Sequence, residues 1–91
     1  MVIANVLIRI DLPYVESLKG RRSVLNRIKD TLKKLNVSVL DLSSEYAKEA
    51  ELAVVYASPN EKLCAQVFQT IETILEERFP ELQCEFELEM L

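Results

Sequence analysis

Residues 2–12 have the sequence Val-Ile-Ala-Asn-Val-Leu-Ile-Arg-Ile-Asp-Leu, in which apolar residues occupy every second position. Successive side chains of a β-strand point to opposite faces, so this spacing gives the strand one continuous apolar face. That face carries Val2, Ala4, Val6, Ile8, Ile10 and Leu12, and the opposite face carries Ile3, Asn5, Leu7, Arg9 and Asp11. Pro13 cannot donate a hydrogen bond to a neighbouring strand, so it ends the element.

A connection over residues 13–20 leads to a basic amphipathic helix. At 3.6 residues per turn, its apolar side chains share an arc of about 100°. These side chains are Val24, Leu25, Ile28, Leu32 and Leu35. The arc is flanked on one side by Arg22, Lys29 and Lys33 and on the other by Arg27 and Lys34. Asn36 is a suitable C-terminal stop, because Asn tolerates the left-handed conformation there.

Three further strands are predicted. Residues 37–42 and 50–57 are rich in Val, Leu and Tyr, and the polar residues 43–49 between them form a loop with room for one helical turn. In the last strand, apolar residues alternate with Gln and Glu, and the glutamates discourage edge-to-edge pairing with another chain. The apolar positions of that strand are Cys84, Phe86, Leu88 and Met90.

The second helix has the clearest local start signal in the chain. Ser58 suits an N-cap, Pro59 suits the first helical position, and Glu61 completes a capping box. The apolar arc of this helix spans about 140°. It contains Leu63, Cys64, Val67, Phe68, Ile71, Ile74 and Leu75. Pro80 ends the helix, because it forces Phe79 away from helical angles.

The element order β-α-β-β-α-β predicts one α+β domain of the ferredoxin-like type over residues 1–91. Two helices that each bury one apolar stripe need a common sheet to pack on. A right-handed crossover after each helix gives a four-stranded antiparallel sheet in the order 4-1-3-2, with two helices on one face. The sequence shows no repeat, linker or second domain.

The composition argues against several function classes. The chain contains no His and two cysteines, Cys64 and Cys84. Zinc sites, Ser-His-Asp triads and Cys-His pairs therefore lack their usual residues, and two cysteines do not make a disulfide scaffold. There is also no Gly-rich loop and no paired-carboxylate motif, so we predict no cofactor, no metal and no enzymatic activity. No run approaches the roughly 18 apolar residues of a membrane span, so we expect a cytoplasmic protein without a membrane partner.

Charge is divided unevenly along the chain. The net charge is −4, yet residues 1–44 carry eight Lys and Arg against four Asp and Glu, whereas residues 45–91 carry three against eleven. A molecule polarised in this way suits an oriented partner or a self-association contact.

The connection and first helix carry a resemblance to a known family. The segment Ser17-Leu18-Lys19-Gly20-Arg21-Arg22-Ser23-Val24 resembles the Ser-Leu-Lys-acidic-Lys-Arg-Ser-Val segment of the YlxP-like family of uncharacterised bacterial proteins. Asn36-Val37-Ser38-Val39 and Ala50-Glu51-Leu52 are similar to its next two landmarks, so the resemblance covers essentially the whole chain. It implies a ferredoxin-like fold. The family's genes lie, in several bacteria, among those for translation initiation and ribosome maturation, which implies a role near RNA or the ribosome.

The chain departs from that family pattern in three places. Gly20 replaces the usual acidic residue, which removes a capping box with Ser17. Leu40-Asp41 replaces the usual Ala-Glu, and the Trp that precedes Ala50 in relatives is absent. Any contact that this Trp makes in the family is therefore not expected here.

The first helix is the candidate contact for RNA, because seven of the eleven cations lie between residues 19 and 34. Free N–H groups at a helix start also attract anions. We predict contacts to RNA phosphate at Lys19, Arg21, Arg22, Arg27, Lys29 and Lys33. The alternative is a solvated basic face that balances the acidic half of the chain. By helical count Arg21 falls near the centre of the buried arc, which favours a structural role for it and leaves Lys19 and Arg22 as the better contacts.

The sheet face opposite the helices is the second candidate surface. It is predicted to expose an apolar interface made of Ile3, Leu7, Leu40, Leu42, Ala53 and Val55. A homodimer or another protein partner would cover such a patch, whereas the alternative is a set of scattered apolar residues of the kind that most surfaces carry. The face lacks the paired aromatic residues with which RNA-recognition sheets stack bases, so any RNA contact should be electrostatic.

Other reactive side chains favour structural interpretations. Cys64 and Cys84 lie on apolar faces, which favours core packing over nucleophilic chemistry. The row of glutamates at positions 85, 87 and 89 is typical of a solvated edge strand, with a site for a hard cation as the alternative. No spacing rule singles out the remaining carboxylates of Asp41, Glu45 and Glu51 as catalytic.

The sequence therefore predicts a non-catalytic binding module. Three hypotheses remain open. The first is an accessory factor of translation or ribosome maturation that contacts RNA phosphate, with no signal specific for DNA. The second is a homodimeric interaction domain that uses the open sheet face. The third is a small-ligand-binding domain, which requires a closed pocket with convergent polar groups.

Overall fold

The computed structural model describes all 91 residues, which form one sheet and two helices. In chain order the elements are β1 (Val2–Asp11), α1 (Leu18–Lys33), β2 (Ser38–Asp41), β3 (Glu49–Ser58), α2 (Glu61–Arg78) and β4 (Gln83–Met90). The four strands are antiparallel and lie in the order β2-β3-β1-β4. This is the predicted order 4-1-3-2 counted from the other edge, so the ferredoxin-like arrangement of the strands is confirmed.

The alternating face of β1 forms the centre of the core. β1 pairs with β3 along all ten of its residues and with β4 on its other side. Ala4, Val6 and Ile8 are completely buried. They belong to one core of 16 buried residues, to which α1 contributes Leu25, Ile28 and Leu32 and α2 contributes Cys64, Ile71 and Leu75. Both helices therefore pack on one face of the sheet and leave the other face uncovered.

Helix α1 begins at Leu18, inside the predicted connection over residues 13–20. Ser17 is its N-cap, and the Gly20 N–H donates to Ser17 Oγ over 3.1 Å. The cap forms without an acidic residue at position 20, because the serine hydroxyl alone satisfies one free N–H of the first turn. At the other end, Asn36 adopts the left-handed conformation with φ 61°, as predicted for the helix stop.

Helix α2 begins two positions later than predicted, at Glu61, and the proposed cap was wrong. Asn60 is the N-cap, and its Oδ1 accepts the Leu63 N–H over 2.9 Å. Ser58 is instead the last residue of β3, paired with Val2 and buried. Pairing with Val2 keeps Ser58 in β3, two residues before Asn60, whose side chain is placed to accept a free N–H of the first turn. The helix ends at Arg78, before Pro80, as predicted.

Strand bounds also differ modestly from the predicted ones. β2 covers only Ser38–Asp41, although the Leu42 N–H still donates to the Glu51 carbonyl over 2.8 Å. β3 extends one residue beyond the predicted range at each end. The loop between them contains turns and no helix. Its first turn is closed by Asp41, whose Oδ1 accepts the Ser43 N–H over 2.9 Å.

Candidate interaction surfaces

The uncovered sheet face brings together the apolar residues that the sequence predicted there. Strand register places Leu40, Ala53 and Leu7 side by side across β2, β3 and β1. Val55 lies two residues further along β3 on the same face, and Leu42 extends the patch beyond the end of β2. Leu40 is 60%, Leu42 47% and Val55 40% exposed. We call this surface the open-face patch; its members are Ile3, Leu7, Leu40, Leu42, Ala53, Val55, Ala57 and Leu91.

The sequence analysis did not place two members of the open-face patch, Ala57 and Leu91, on this surface. Ala57 pairs with Ile3 on β3. Leu91 lies on the other side of Ile3, where two backbone hydrogen bonds of 3.1 and 2.7 Å join these residues. Leu91 is 72% exposed. Only the pairing register reveals these neighbours, because alternation along one strand does not show which residue of the next strand lies opposite.

The β4 edge of the same face is acidic. Glu85, Glu87 and Glu89 are exposed there, directly beside β1. Arg9 Nη2 lies 3.8 Å from Glu87 Oε2, and both side chains are largely exposed. Such an exposed ion pair contributes little to stability, so the edge remains a solvated border of the open-face patch.

Asn5 is a polar residue among the apolar residues of this face. It lies on β1 between Ile3 and Leu7, opposite Val55 on β3 and Glu89 on β4. Its side-chain Oδ1 is enclosed and accepts no hydrogen bond. A hollow of about 300 Å³ opens beside it, lined by Asn5, Leu7, Glu87, Leu88 and Glu89.

The predicted RNA contacts on α1 divide into two groups, the first of which is engaged within the fold. Arg21 Nη1 donates to the carbonyl oxygens of Tyr46 and Glu49 over 2.8 and 2.9 Å. This agrees with the structural role that helical count favoured for it. Arg27 lies over the ring of Phe79, 5.5 Å from the ring centroid, and so joins α1 to the end of α2.

Lys29 is also engaged, through an ion pair with the end of β2. Its Nζ lies 3.6 Å from Asp41 Oδ2. Burial alone would raise the pKa of Asp41, but the hydrogen bonds from Ser43 and the charges of Lys29 and Arg21 outweigh it and lower the pKa. The carboxylate therefore stays ionised and holds the α1 flank beside β2.

The second group of predicted contacts remains available to a partner. Lys19, Arg22 and Lys33 are exposed and take part in neither ion pair of the structure. At 100° per residue they share with Lys29 one flank of α1, the side that faces β2. We call these four cations the basic stripe.

The two cysteines differ in their environment. Cys64 is completely buried; its carbonyl oxygen accepts the Tyr56 hydroxyl over 2.8 Å, and its Sγ lies 3.8 Å from the same hydroxyl. Burial, reinforced by Cys64, raises the pKa of Tyr56.

Cys84 is half-buried on the core face of β4. Burial, followed by the charges of Asp11 and Glu76, raises the pKa of the Cys84 thiol to about 11. A thiol with that pKa is protonated at neutral pH, which disfavours nucleophilic chemistry.

The cavities of the fold offer few groups for chemistry. The largest, about 420 Å³, is open and has no titratable group in its lining of Leu35, Ser58, Pro59, Leu63, Gln66, Val67 and Thr70. No group of three or more carboxylates or thiols converges in a way that would hold a metal ion. Neither helix is long and apolar enough to cross a membrane.

Comparison with known proteins places the chain in a family. A family model described as "Protein of unknown function (DUF503)" matches residues 3–87. The chain belongs to the DUF503 family. No curated protein matches it. Family membership thus confirms an uncharacterised domain and leaves the activity open.

Solved structures similar to this DUF503 protein share its fold. A de novo designed protein with a ferredoxin fold, LFR1 1, superimposes with a TM-score of 0.64 at 14% identity, covering 97% of this chain and 85% of the other. The de novo designed protein Foldit4 gives a TM-score of 0.57 at 16% identity, with coverage of 97% and 94%. At such identities the likeness concerns the fold alone.

Proposed function

We propose that this DUF503 protein is a non-catalytic interaction module that forms a homodimer through the open-face patch. One observation supports this above all. Eight apolar residues are contiguous on the sheet face that carries no helix; Leu40 and Leu91 are mostly exposed, Ile3 and Leu7 are half-buried, and Ala53 is buried. A monomer gains stability by keeping such a surface polar, so a contiguous apolar patch favours a partner.

The dimensions of the sheet suit a second copy. With strands about 4.8 Å apart and about 3.3 Å of rise per residue, strands of ten, ten, eight and four residues give a face of roughly 500 Å². An interface of standard size buries about 800 Å² of accessible surface on each partner, and weaker complexes bury less. The open face is therefore large enough for a dimer of modest affinity, in which two sheets pack face to face.

The distribution of charge on the face also favours self-association. The centre of the open-face patch, around Ala53, Val55 and Leu7, carries no charge. In a two-fold dimer each subunit presents the same surface to the other, so an uncharged centre brings no like charges together. The glutamates of β4 lie at the border, where they remain in water.

Sedimentation velocity across a range from low to high micromolar concentration tests the homodimer. We expect the wild-type protein to shift from monomer to dimer and Leu40→Glu to remain monomeric, because a charge at this position would be buried in the interface. Leu63→Glu is the matched control, since Leu63 is also an exposed leucine, at 40% against 60% for Leu40, but lies on α2, away from the face. A wild-type protein that stays monomeric at the highest concentration contradicts the proposal.

A second function, contact with RNA phosphate, is favoured by the basic stripe. Lys19, Arg22 and Lys33 are exposed cations on one flank of α1, and the first turn of that helix contains no acidic residue. Cations lined up on one helix flank suit a polyanion, which they bind by displacing its counterions. The resemblance to the YlxP-like family, with its implied role near the ribosome, is consistent with this function.

Salt-dependent binding to ribosomal RNA tests this second function. We expect weak binding at low salt that the triple change Lys19→Ala, Arg22→Ala, Lys33→Ala abolishes. The control is Lys34→Ala, Lys62→Ala, Arg78→Ala, which removes the same charge from positions off the basic stripe. Equal losses for the two triple variants would show that net charge alone matters, and no wild-type binding at low salt would remove the function.

A further inference from the structure

We propose that salt promotes the homodimer, because the sheet face that forms it is acidic around its apolar centre. The inference rests on the homodimer proposed above and adds the condition that controls it. Its sign is opposite to that expected for RNA, since salt weakens the binding of cations to a polyanion. Low salt would therefore favour the RNA contact, and high salt would favour the dimer.

The charged side chains of the uncovered sheet face are nearly all negative. Strand alternation and register place six carboxylates and one guanidinium group on it. These are Asp11, Glu49, Glu51, Glu85, Glu87 and Glu89, against Arg9. β2 adds no charge, because its residues on this face, Ser38 and Leu40, are neutral. One cation against six carboxylates leaves the face with a net charge of −5.

The carboxylates border the open-face patch on two sides. One side is the row of three exposed glutamates along β4. The other is one end of the sheet, where Asp11 pairs with Glu49 and Arg9 pairs with Glu51. Arg9 Nη2 lies 3.8 Å from Glu87 Oε2, so the one cation of the face is already close to a carboxylate. The remaining carboxylates of the face have no cation on it to offset them.

Self-association brings these acidic borders near their own copies. In the aligned packing of two sheets, a two-fold axis runs either along the strands or across them. An axis along the strands places the end that carries Asp11 and Glu49 opposite the same end of the second copy. An axis across the strands places β4 opposite β4. Facing sheets lie about 10 Å apart, so in either arrangement like charges face each other over roughly that distance.

The range of this repulsion depends on the salt concentration. The Debye length is about 30 Å at 0.01 M ionic strength and about 3 Å at 1 M. Repulsion across a gap of about 10 Å therefore acts almost fully at the lower concentration and is largely screened at the higher one. Burial of apolar side chains at the centre of the patch, such as Leu40 and Ala53, is not weakened by screening. Added salt thus removes the opposing contribution and leaves the favourable one.

Sedimentation velocity of the full chain in sodium chloride, from about 0.01 M to about 1 M, tests the inference. We expect the dissociation constant of the wild-type dimer to fall at least about tenfold across this range. Two triple variants neutralise the two acidic borders. They are Glu85→Gln, Glu87→Gln, Glu89→Gln on β4, and Asp11→Asn, Glu49→Gln, Glu51→Gln at the end of the sheet. We expect at least one of them to dimerise more tightly than the wild-type protein at low salt and to depend less on salt.

The control variant removes the same charge from the helix layer. It is Glu72→Gln, Glu76→Gln, Glu77→Gln, on α2 and therefore on the other side of the sheet. We expect its salt dependence to stay close to that of the wild-type protein. This comparison separates screening of the acidic borders from a general effect of salt on apolar surfaces, which would act on all variants equally.

The outcomes separate the effect of salt from the dimer itself. A wild-type dimer whose dissociation constant is unchanged or raised by salt overturns the inference, while the proposed function stands. The same conclusion follows if all three triple variants keep the salt dependence of the wild-type protein. A wild-type protein that is monomeric at every salt concentration overturns both.

Discussion

Two cations stabilise the loops at one end of the sheet through backbone carbonyl groups. Arg21, at the start of α1, donates to the carbonyls of Tyr46 and Glu49 in the loop that leads into β3. Lys48, in that same loop, donates to the carbonyls of Pro13 and Val15 before α1, over 3.0 and 3.1 Å. The two cations thus connect the start of α1 and the residues before it to the segment that leads into β3.

Removal of the Arg21 side chain should destabilise the fold. Arg21→Ala removes two hydrogen bonds from a charged donor to backbone carbonyls, so we expect the free energy of unfolding to fall by about 1–3 kcal/mol. Arg22→Ala, at the next position but exposed and outside both ion pairs, should change it by less than about 0.5 kcal/mol. Urea denaturation of the two variants measures the difference. Equal midpoints would contradict the structural role of Arg21.

Titration of Cys84 should lower stability at alkaline pH. Its thiol has a pKa of about 11 in the folded protein against 9.0 for the unperturbed group. The raised pKa stabilises the folded state fully below pH 9.0, and this contribution is lost as the pH rises toward the folded value, since the unfolded chain releases the proton first. We expect Cys84→Ala to show a shallower decline of the unfolding free energy between these two pH values, measured by urea denaturation. Identical slopes would contradict the prediction.

At the scale of elements, the position of each helix cap depends on what precedes it. Ser17 follows a loop and caps α1, whereas Ser58 is the last residue of β3. Ser is a good cap in either sequence context, but Ser58 is paired with Val2 in the sheet and lies two residues before the N-cap of α2. Asn60 is therefore the N-cap of α2.

Substitution at the two candidate caps of α2 distinguishes them. Asn60→Ala removes the acceptor of the Leu63 N–H, so we expect a loss of about 0.5–2 kcal/mol in the free energy of unfolding. Ser58→Ala removes only a small hydroxyl from the end of β3, and we expect a smaller loss. Thermal denaturation followed by circular dichroism measures both. A larger loss for Ser58→Ala would support the capping box that the sequence predicted.

At the scale of the whole molecule, the two candidate surfaces lie on different parts of the fold. The open-face patch covers the sheet, and the basic stripe follows a flank of the helix layer above β2. A homodimer formed through the sheets would leave both copies of the basic stripe exposed, so the two proposed functions are compatible.

Self-association should make thermal stability depend on protein concentration. A dimer that forms only from folded chains stabilises them by mass action, so dilution lowers the apparent Tm. We expect a fall on tenfold dilution for the wild-type protein and none for Leu40→Glu, measured by circular dichroism. A Tm that is independent of concentration in the wild-type protein would contradict the homodimer.

The sequence by itself determined the element order and the faces of the strands and helices. Alternation over residues 2–12 identified the buried face of β1. The 3.6-residue spacing identified the buried apolar stripe of each helix, which contains Leu25 on α1 and Ile71 on α2. The strand order followed from these elements, because two one-sided helices need a shared sheet. Asn36 was also correctly identified as a helix stop, since its conformation depends on local backbone preference.

Tertiary structure alone decided the composition of the candidate sites. The roles of Arg21 and Lys48 depend on carbonyl groups about 25 to 35 positions away in the chain. The place of Leu91 in the open-face patch, and the enclosure of Asn5 Oδ1 within it, depend on the pairing register. Periodicity specifies which way a side chain faces, since it is a property of one element. The partners that a side chain meets are set by how distant segments pack, and no local pattern encodes that arrangement.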